Sequence, residues 1–294
     1  MYRQLGYLYP LKNKKRLNEA NLSVPAMGIW IVNYKKTIYG NTERFPGFVK
    51  TDFEKGQIRV DCGFFTRPNL LYWEACLEFQ KMPGKKEAKD DIKKAMFSSI
   101  KSKMLELINT HKKPILVLIK SDGTSRQIWK FVSDTELSKV ERLNKYTLKR
   151  LCFDNLDSNN DVFLDRKENG IRIIRVRNNE EVPDYLTEEK EDGNTKSLTG
   201  IYQYKDIFWS IAPAPNDKLF QNTRYAISKV THPTKECKRP AMIEIYPIHL
   251  KEGDDPADWV YLTHVLRKAA HQYRETLRMP LPLHLAQKLE EYMG

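Results

Sequence analysis

The chain predicts an α/β fold: a mixed sheet of three antiparallel strands plus a buried central strand, flanked by helices. Three observations carry this. The stretch 114–131, PILVLIKSDGTSRQIWKF, opens on five consecutive apolar residues, Ile115, Leu116, Val117, Leu118 and Ile119. That run is too short for a helix and does not alternate, which is the pattern of a strand covered on both faces. Ahead of it, residues 27–64 alternate short β-rich runs with turn signals, and residues 91–110 carry apolar side chains at helical spacing.

In chain order, residues 1–25 form a basic lead-in (Lys12, Lys14, Lys15, Arg16), and residues 26–294 read as one domain. A first strand starts at Met27 and runs through Tyr34. Gly40-Asn41 and Pro46-Gly47 read as turns, residues 48–53 as a second strand, and Lys55-Gly56 as a tight turn. Residues 57–64 form a third strand, alternating on Ile58, Val60 and Cys62. Leu70, Leu71, Trp73 and Leu77 make 68–80 a helix, ended by Met82-Pro83-Gly84. A stronger helix follows from Asp90 or Asp91 to about Thr110, on Ile92, Met96, Ile100, Met104, Leu107 and Ile108. After the central strand, Ile128, Trp129 and Val132 predict a helix over 124–132, and residues 136–150 a further helix rich in Lys and Arg. Residues 154–169 read as a polar loop, 170–177 as a strand with three arginines, and 178–197 as an acidic, turn-rich connection. Residues 207–211, 225–230 and 241–247 are extended, 256–277 a long helix, and 283–292 a short final one.

The formal charge is +12, with 30% charged and 40% apolar residues. A basic surface of that size suits a polyanion. No apolar run approaches the roughly 18 residues of a membrane span, so no membrane partner is expected. Cys62, Cys76, Cys152 and Cys237 are scattered without a CxxC pair and read as reduced core thiols of a cytoplasmic protein. The six histidines show no HExxH spacing, and no GxSxG, Walker A or GxGxxG stretch is present. Asp157, Asn159, Asp161, Asp165 and Glu168 fall at EF-hand spacing. Val162 stands where the sharp turn needs glycine, and a strand follows, so this reads as a hydrophilic loop.

In an open α/β sheet, ligands gather at the carboxyl ends of strands, which singles out Asp122 in the turn Lys120-Ser121-Asp122-Gly123-Thr124-Ser125. The order of elements fits the ribonuclease H-like architecture, in which acids near strand ends hold two divalent cations beside a scissile phosphate. That turn, with Gln127 and then Glu136-Leu137, resembles the Argonaute/PIWI segment in which an Arg-Asp-Gly-Val-Ser turn precedes a helix ending in Glu-Leu. Residues 171–177 resemble the basic strand that comes next. Phe208-Trp209-Ser210 and Asn222-Thr223-Arg224-Tyr225 resemble the family's aromatic strand and its following turn. Residues 259–278, then Pro280-Leu281-Pro282-Leu283-His284-Leu285-Ala286, resemble the helix, proline pair and terminal helix that close a PIWI domain. This ending and Glu290-Glu291-Tyr292 look most like the prokaryotic PIWI-RE branch.

The resemblance implies guided recognition of foreign nucleic acid in prokaryotic defence, with guide and target RNA or DNA as partners and helicase and nuclease proteins beside them. Complete members carry further N-terminal regions, including a guide-anchoring part, so the chain reads as a fragment or one half of a split protein. Asp122 matches the family's central-strand catalytic and metal-binding Asp. The first-strand acid falls in Ile29-Trp30-Ile31-Val32-Asn33, where there is no carboxylate, and the last ligand falls near Gln287. Two readings stay open. One is a nucleic-acid-binding domain with a degenerate site. The other is an endonuclease in which Asp122 and one or more of Asp61, Glu74, Glu78 and Glu87 hold Mg²⁺ or Mn²⁺. A protein-interaction scaffold is a third possibility. Expected phosphate contacts are Lys120 and Arg126 about the central turn, Arg172 opposed to Arg175 and Arg177 on one strand, and Arg274, Arg278, His284 and Lys288 near the end. Glu290 and Glu291 stand where Argonautes use arginine toward the guide's 5′ phosphate.

Overall fold

The computed structural model describes residues 24–35, 42–63, 67–80, 89–121, 132–137, 140–151, 169–178, 200–211, 242–269 and 276–292, with residues 8, 65, 125–126, 129, 162–164, 188–189 and 195–196 besides. The first half holds β1 (Ala26–Lys35), β2 (Thr42–Asp52), β3 (Gln57–Cys62) and β4 (Leu70–Leu71). Helices α1 (Tyr72–Gln80) and α2 (Lys89–Thr110) follow, then β5 (Ile115–Lys120) and α3 (Asp134–Leu137). The second half holds β6 (Arg142–Asn144), β7 (Thr147–Leu148), β8 (Arg150–Leu151), β9 (Val162–Phe163) and β10 (Ile171–Arg177). Next come β11 (Glu188–Glu189), β12 (Thr195–Lys196), β13 (Gly200–Tyr204), β14 (Ile207–Ile211) and β15 (Met242–His249). Helices α4 (Pro256–Val265) and α5 (Leu281–Lys288) and a 3-10 turn (Leu289–Tyr292) close the chain.

Nine strands form one mixed sheet in the order β13-β14-β15-β10-β5-β1-β2-β3-β4. The apolar run therefore lies at its middle, parallel to both neighbours. Ile115 to Ile119 are at most 1% exposed. Alternate residues feed two separate cores, which is why the run does not alternate in polarity. Leu116 and Leu118 join Trp30, Ile174, Trp259 and Leu283 beneath α4 and α5. Val117 and Ile119 join Ile29, Ile173, Ile100 and Met104 beneath α2. The terminal helix docks tightly on the first strand. A Cβ on Gly28 would lie 2.5 Å from the carbonyl carbon of Pro282, so glycine is required for that approach.

Several expectations are corrected. Residues 136–150 do not form a helix. Tyr146 N donates to Asn144 Oδ1, turning the chain into the β6–β7 ribbon. The ribbon is pinned to the end of β15 through Leu148 N on His249 Nδ1 and Thr147 Oγ1 on the Leu250 carbonyl, so tertiary bonding overrides helical propensity. The helix from Pro256 ends at Val265, where the N–H groups of Arg267 and Lys268 bond back three residues to His264 and Val265, and the Arg267 guanidinium donates to the carbonyls of Ser210 and Leu277. Pro46 and Gly47 lie within β2, opposite Ile31 and Trp30. β13 falls in a stretch where no strand was expected, as do the short ribbon strands β9, β11 and β12. Of the helix expected over 124–132, the described part includes one α-type bond, Trp129 N to the Ser125 carbonyl. The expected strand 225–230 and the acids of the EF-hand-like spacing lie outside the described residues. Among the described residues, Cys62 and Cys76 are buried thiols, and no helix is long and apolar enough to cross a membrane.

Candidate nucleic-acid interface

The carboxyl end of β5 opens beside the middle of β1, because the two strands are parallel with Ala26 opposite Leu116 and Ile29 opposite Ile119, and β1 runs on to Lys35. At this rim the Lys120 ammonium lies over the Trp30 ring, 4.1 Å from its centroid. The Trp30 indole N–H in turn donates to Glu290 Oε1 at 3.0 Å. The terminal 3-10 turn is thereby fastened to the first strand, and the lysine is held at the mouth of the central one. Ser121 continues the strand, its N–H on the Val176 carbonyl at 2.9 Å and its hydroxyl on the Val132 carbonyl at 3.2 Å. A recess of about 10 Å³, room for one water, is lined by Ile29, Trp30, Ile31, Ile119, Lys120, Ser125 and Trp129. Arg126 is half-buried beside it in sequence. Asp122 lies outside the described residues, as do Glu87 and Arg274.

The other candidate acids do not converge on this rim. Asp61 pairs with Phe48, which pairs with Ile29, so three strand spacings, about 14 Å, separate it from β5. Its carboxylate faces α2, where Lys103, only 5% exposed, donates to Oδ2 at 2.6 Å and reaches Glu106 at 2.9 Å. This triad lines an open groove of about 480 Å³ with Ser98, Ser99 and Ser102. Glu74 stands at the third position of α1 and accepts the Leu71 N–H at 2.8 Å, the reciprocal half of a capping box. Glu78 lies on the same helix, beside β3 and β4 at the sheet margin. Asp61 and Glu74 are therefore corrected to an ion-pair and a capping role. Divalent cations need several converging oxygens. Among the described residues no group of three or more His, Cys, Asp or Glu side chains is placed to hold one. The described residues do not fit a two-metal site.

Alternation along β10 sends its arginines to opposite faces. Arg172 pairs with Asp254 through Nε at 2.8 Å and Nη2 at 3.0 Å, and lies over the Trp259 ring. Arg175 is 2% exposed and donates to Asp134 at 2.5 Å, Glu244 at 2.8 Å and the Val132 carbonyl at 3.0 Å. Arg177 reaches the second oxygen of Asp134 at 2.7 Å. Burial alone would raise the Asp134 carboxyl, but the bonds and charge of Arg175, then Arg177, hold it below the usual carboxylate range. A guanidinium so enclosed has no face left for a phosphate, and the expected contact at Arg175 is corrected to an internal tie between β10, β15 and α3. Near the end of the chain, Arg278 is exposed, His284 is half-buried on α5, and Lys288 pairs with Glu291.

The chain matches, over residues 26–294, the family model described as the RNaseH domain of pPIWI_RE. It belongs to that family. No curated protein matches it. Solved structures similar to this pPIWI_RE domain include Marinitoga piezophila Argonaute in complex with 5′ OH guide RNA and target DNA. That match has 13% identity and a TM-score of 0.40, over 94% of this chain and 31% of that one. Kluyveromyces polysporus Argonaute with a guide RNA shows 11% identity and a TM-score of 0.40, over 92% and 28%. Drosophila Piwi shows 8% identity and a TM-score of 0.42, over 92% and 30%. The chain thus spans less than a third of the length of these proteins.

Two contributors to the pPIWI_RE rim escape a reading of the sequence. Trp30 reads as one more apolar strand residue, and Glu290 stands far from it in the chain. A tryptophan in a buried strand needs a partner for its N–H, but nothing in the sequence says which acceptor supplies it. Asp134 and Glu244, which neutralise the β10 arginines, carry no local signal either.

Proposed function

We propose that this domain binds guide and target nucleic acid for guided recognition of foreign nucleic acid, and that its ribonuclease H-type catalytic site is degenerate. The observation that carries the reading is the parallel β1–β5 pair. The ten residues of β1, AMGIWIVNYK, the strand beside β5, contain no carboxylate. Two-metal cleavage needs several carboxylates on the ions. Asp122 alone does not supply them, and the last ligand position that the family resemblance implies falls near Gln287, a neutral amide. Binding is supported by the family match, by the charge of +12, and by the guide RNA and target DNA of the Marinitoga piezophila Argonaute complex. The PIWI-RE resemblance supports a proposed role in prokaryotic defence and association with helicase and nuclease proteins, and the scattered cysteines without a CxxC pair support a cytoplasmic location.

The test is binding of labelled guide–target duplexes across a salt series, followed by incubation with Mg²⁺ or Mn²⁺. The expected result is a log affinity that falls linearly with log salt, with both strands left intact. No binding at low ionic strength overturns the nucleic-acid reading. Cleavage abolished by Asp122→Ala replaces the degenerate site with a working endonuclease.

A further inference from the structure

The outer edge of the large sheet carries aromatic rings in the open. Tyr202 is 39% and Tyr204 64% exposed, on the edge strand β13. Residues two apart on a strand share a face, and the hairpin register sets Trp209 opposite Tyr202. Trp209 packs on Ile211 and Met242. The same row runs inward through Glu244 of β15 to Arg177, beside the exit of β5. Three strand spacings, about 14 Å, span that row from β13 to β10, within reach of one bound strand.

Positive charge is interleaved with the rings. Lys205 holds its ammonium 5.4 Å from the Tyr204 centroid, from a turn position with φ 55°, where a side chain is strained and glycine is the usual occupant. Lys145, at the tip of the β6–β7 ribbon, lies 5.2 Å from the Tyr146 centroid and pairs with Asp206, the hairpin's one acid. The adjoining ribbon carries Arg142, Lys149 and Arg150 against Glu141. A surface of open rings set among ammonium groups complements a chain of planar bases and phosphates better than it complements an apolar peptide.

We propose that Tyr202 and Tyr204, flanked by Trp209, form a stacking platform for unpaired bases of the strand bound at this sheet, with Lys205 meeting its phosphates. The inference rests on the nucleic-acid reading above and adds a ligand class to it: single-stranded, base-bearing, without sequence preference. The experiment uses the full chain, a labelled mixed-sequence single-stranded oligonucleotide, and the same strand with abasic sites. The Y202A/Y204A pair weakens binding of the base-bearing strand about tenfold or more. Y202F/Y204F restores it, and all three proteins bind the abasic strand equally, at an unchanged urea midpoint. Base-bearing affinity unaltered by Y202A/Y204A overturns the platform alone and leaves the strip as a protein-docking edge. Equal loss on the abasic strand also overturns it, since stacking needs a base. A wild-type chain that binds neither strand overturns the platform together with the nucleic-acid reading.

Discussion

Arg175→Met separates packing from recognition on the arginine strand. The substitution keeps most of the aliphatic bulk and removes a guanidinium that is 2% exposed and bonded to Asp134, Glu244 and the Val132 carbonyl. Glu244, 10% exposed, is then left with Arg177 Nη1 at 3.7 Å. Removing one member of a buried pair costs about 3–5 kcal/mol. The lower end applies here, because Arg177 remains and Asp134 is 61% exposed and readily rehydrated. The expected loss is about 3 kcal/mol, read as a lower urea midpoint at constant m. The salt dependence of duplex binding should stay the same, since each phosphate contact contributes about 0.9 to the slope of log affinity against log salt. A variant as stable as wild type whose slope falls by about one unit would refute the argument and return Arg175 to the phosphates.

Gly28→Ala places a Cβ 2.5–2.7 Å from backbone atoms of Pro282 and Leu283 and should cost about 1–3 kcal/mol, as overpacking does, seen as a lower melting temperature. An unchanged temperature would mean that the α5–β1 contact is looser than described. His249 is fully buried, and burial, then the charges of Lys251 and Arg172, depress its pKa to about 3, against the opposing Asp254. An unfolded chain binds a proton there below about pH 6.5 that the folded chain refuses. Stability should therefore fall by about 1.4 kcal/mol per pH unit from this site as pH drops below that value. Urea titrations across pH should show that slope flattened in His249→Gln, and an equal slope would exclude the site. Asp61→Asn should lower stability by about 1–3 kcal/mol through the loss of the Lys103 pair and leave duplex affinity as it was. A selective loss of binding or cleavage would reinstate Asp61 at the site.

Patterns that report burial were legible in the sequence, and partners were not. Five unalternating apolar residues announced a strand covered on both faces, and the sheet order puts them at its centre. Apolar spacing at Met96, Ile100, Met104 and Leu107 announced α2, whose buried stripe lies against the same strand. The failures lie where local propensity is overruled from a distance. Residues 142–148 have the composition of a basic helix but are pulled into a ribbon by His249 and Leu250, about a hundred residues away. The i→i−3 turn that closes α4 at Arg267 is encoded by no periodicity.

The same distinction governs the candidate site. Alternation places Arg172 apart from Arg175 and Arg177, because the side-chain period of a strand is a property of the strand alone. Whether an arginine meets phosphate or carboxylate depends on what its neighbours in space carry. Asp254, Asp134 and Glu244 come from segments distant in the chain. The net charge of +12 is thus a poor guide to which cations face a ligand. Three arginines on one strand are largely spent on internal acids, and the rim of the central strand depends on Lys120, held there by Trp30 and, through it, by Glu290. A basic surface therefore has to be assigned residue by residue, after internal ion pairs are set aside. On that accounting, recognition shifts from the β10 arginines toward the strand rim and the aromatic edge.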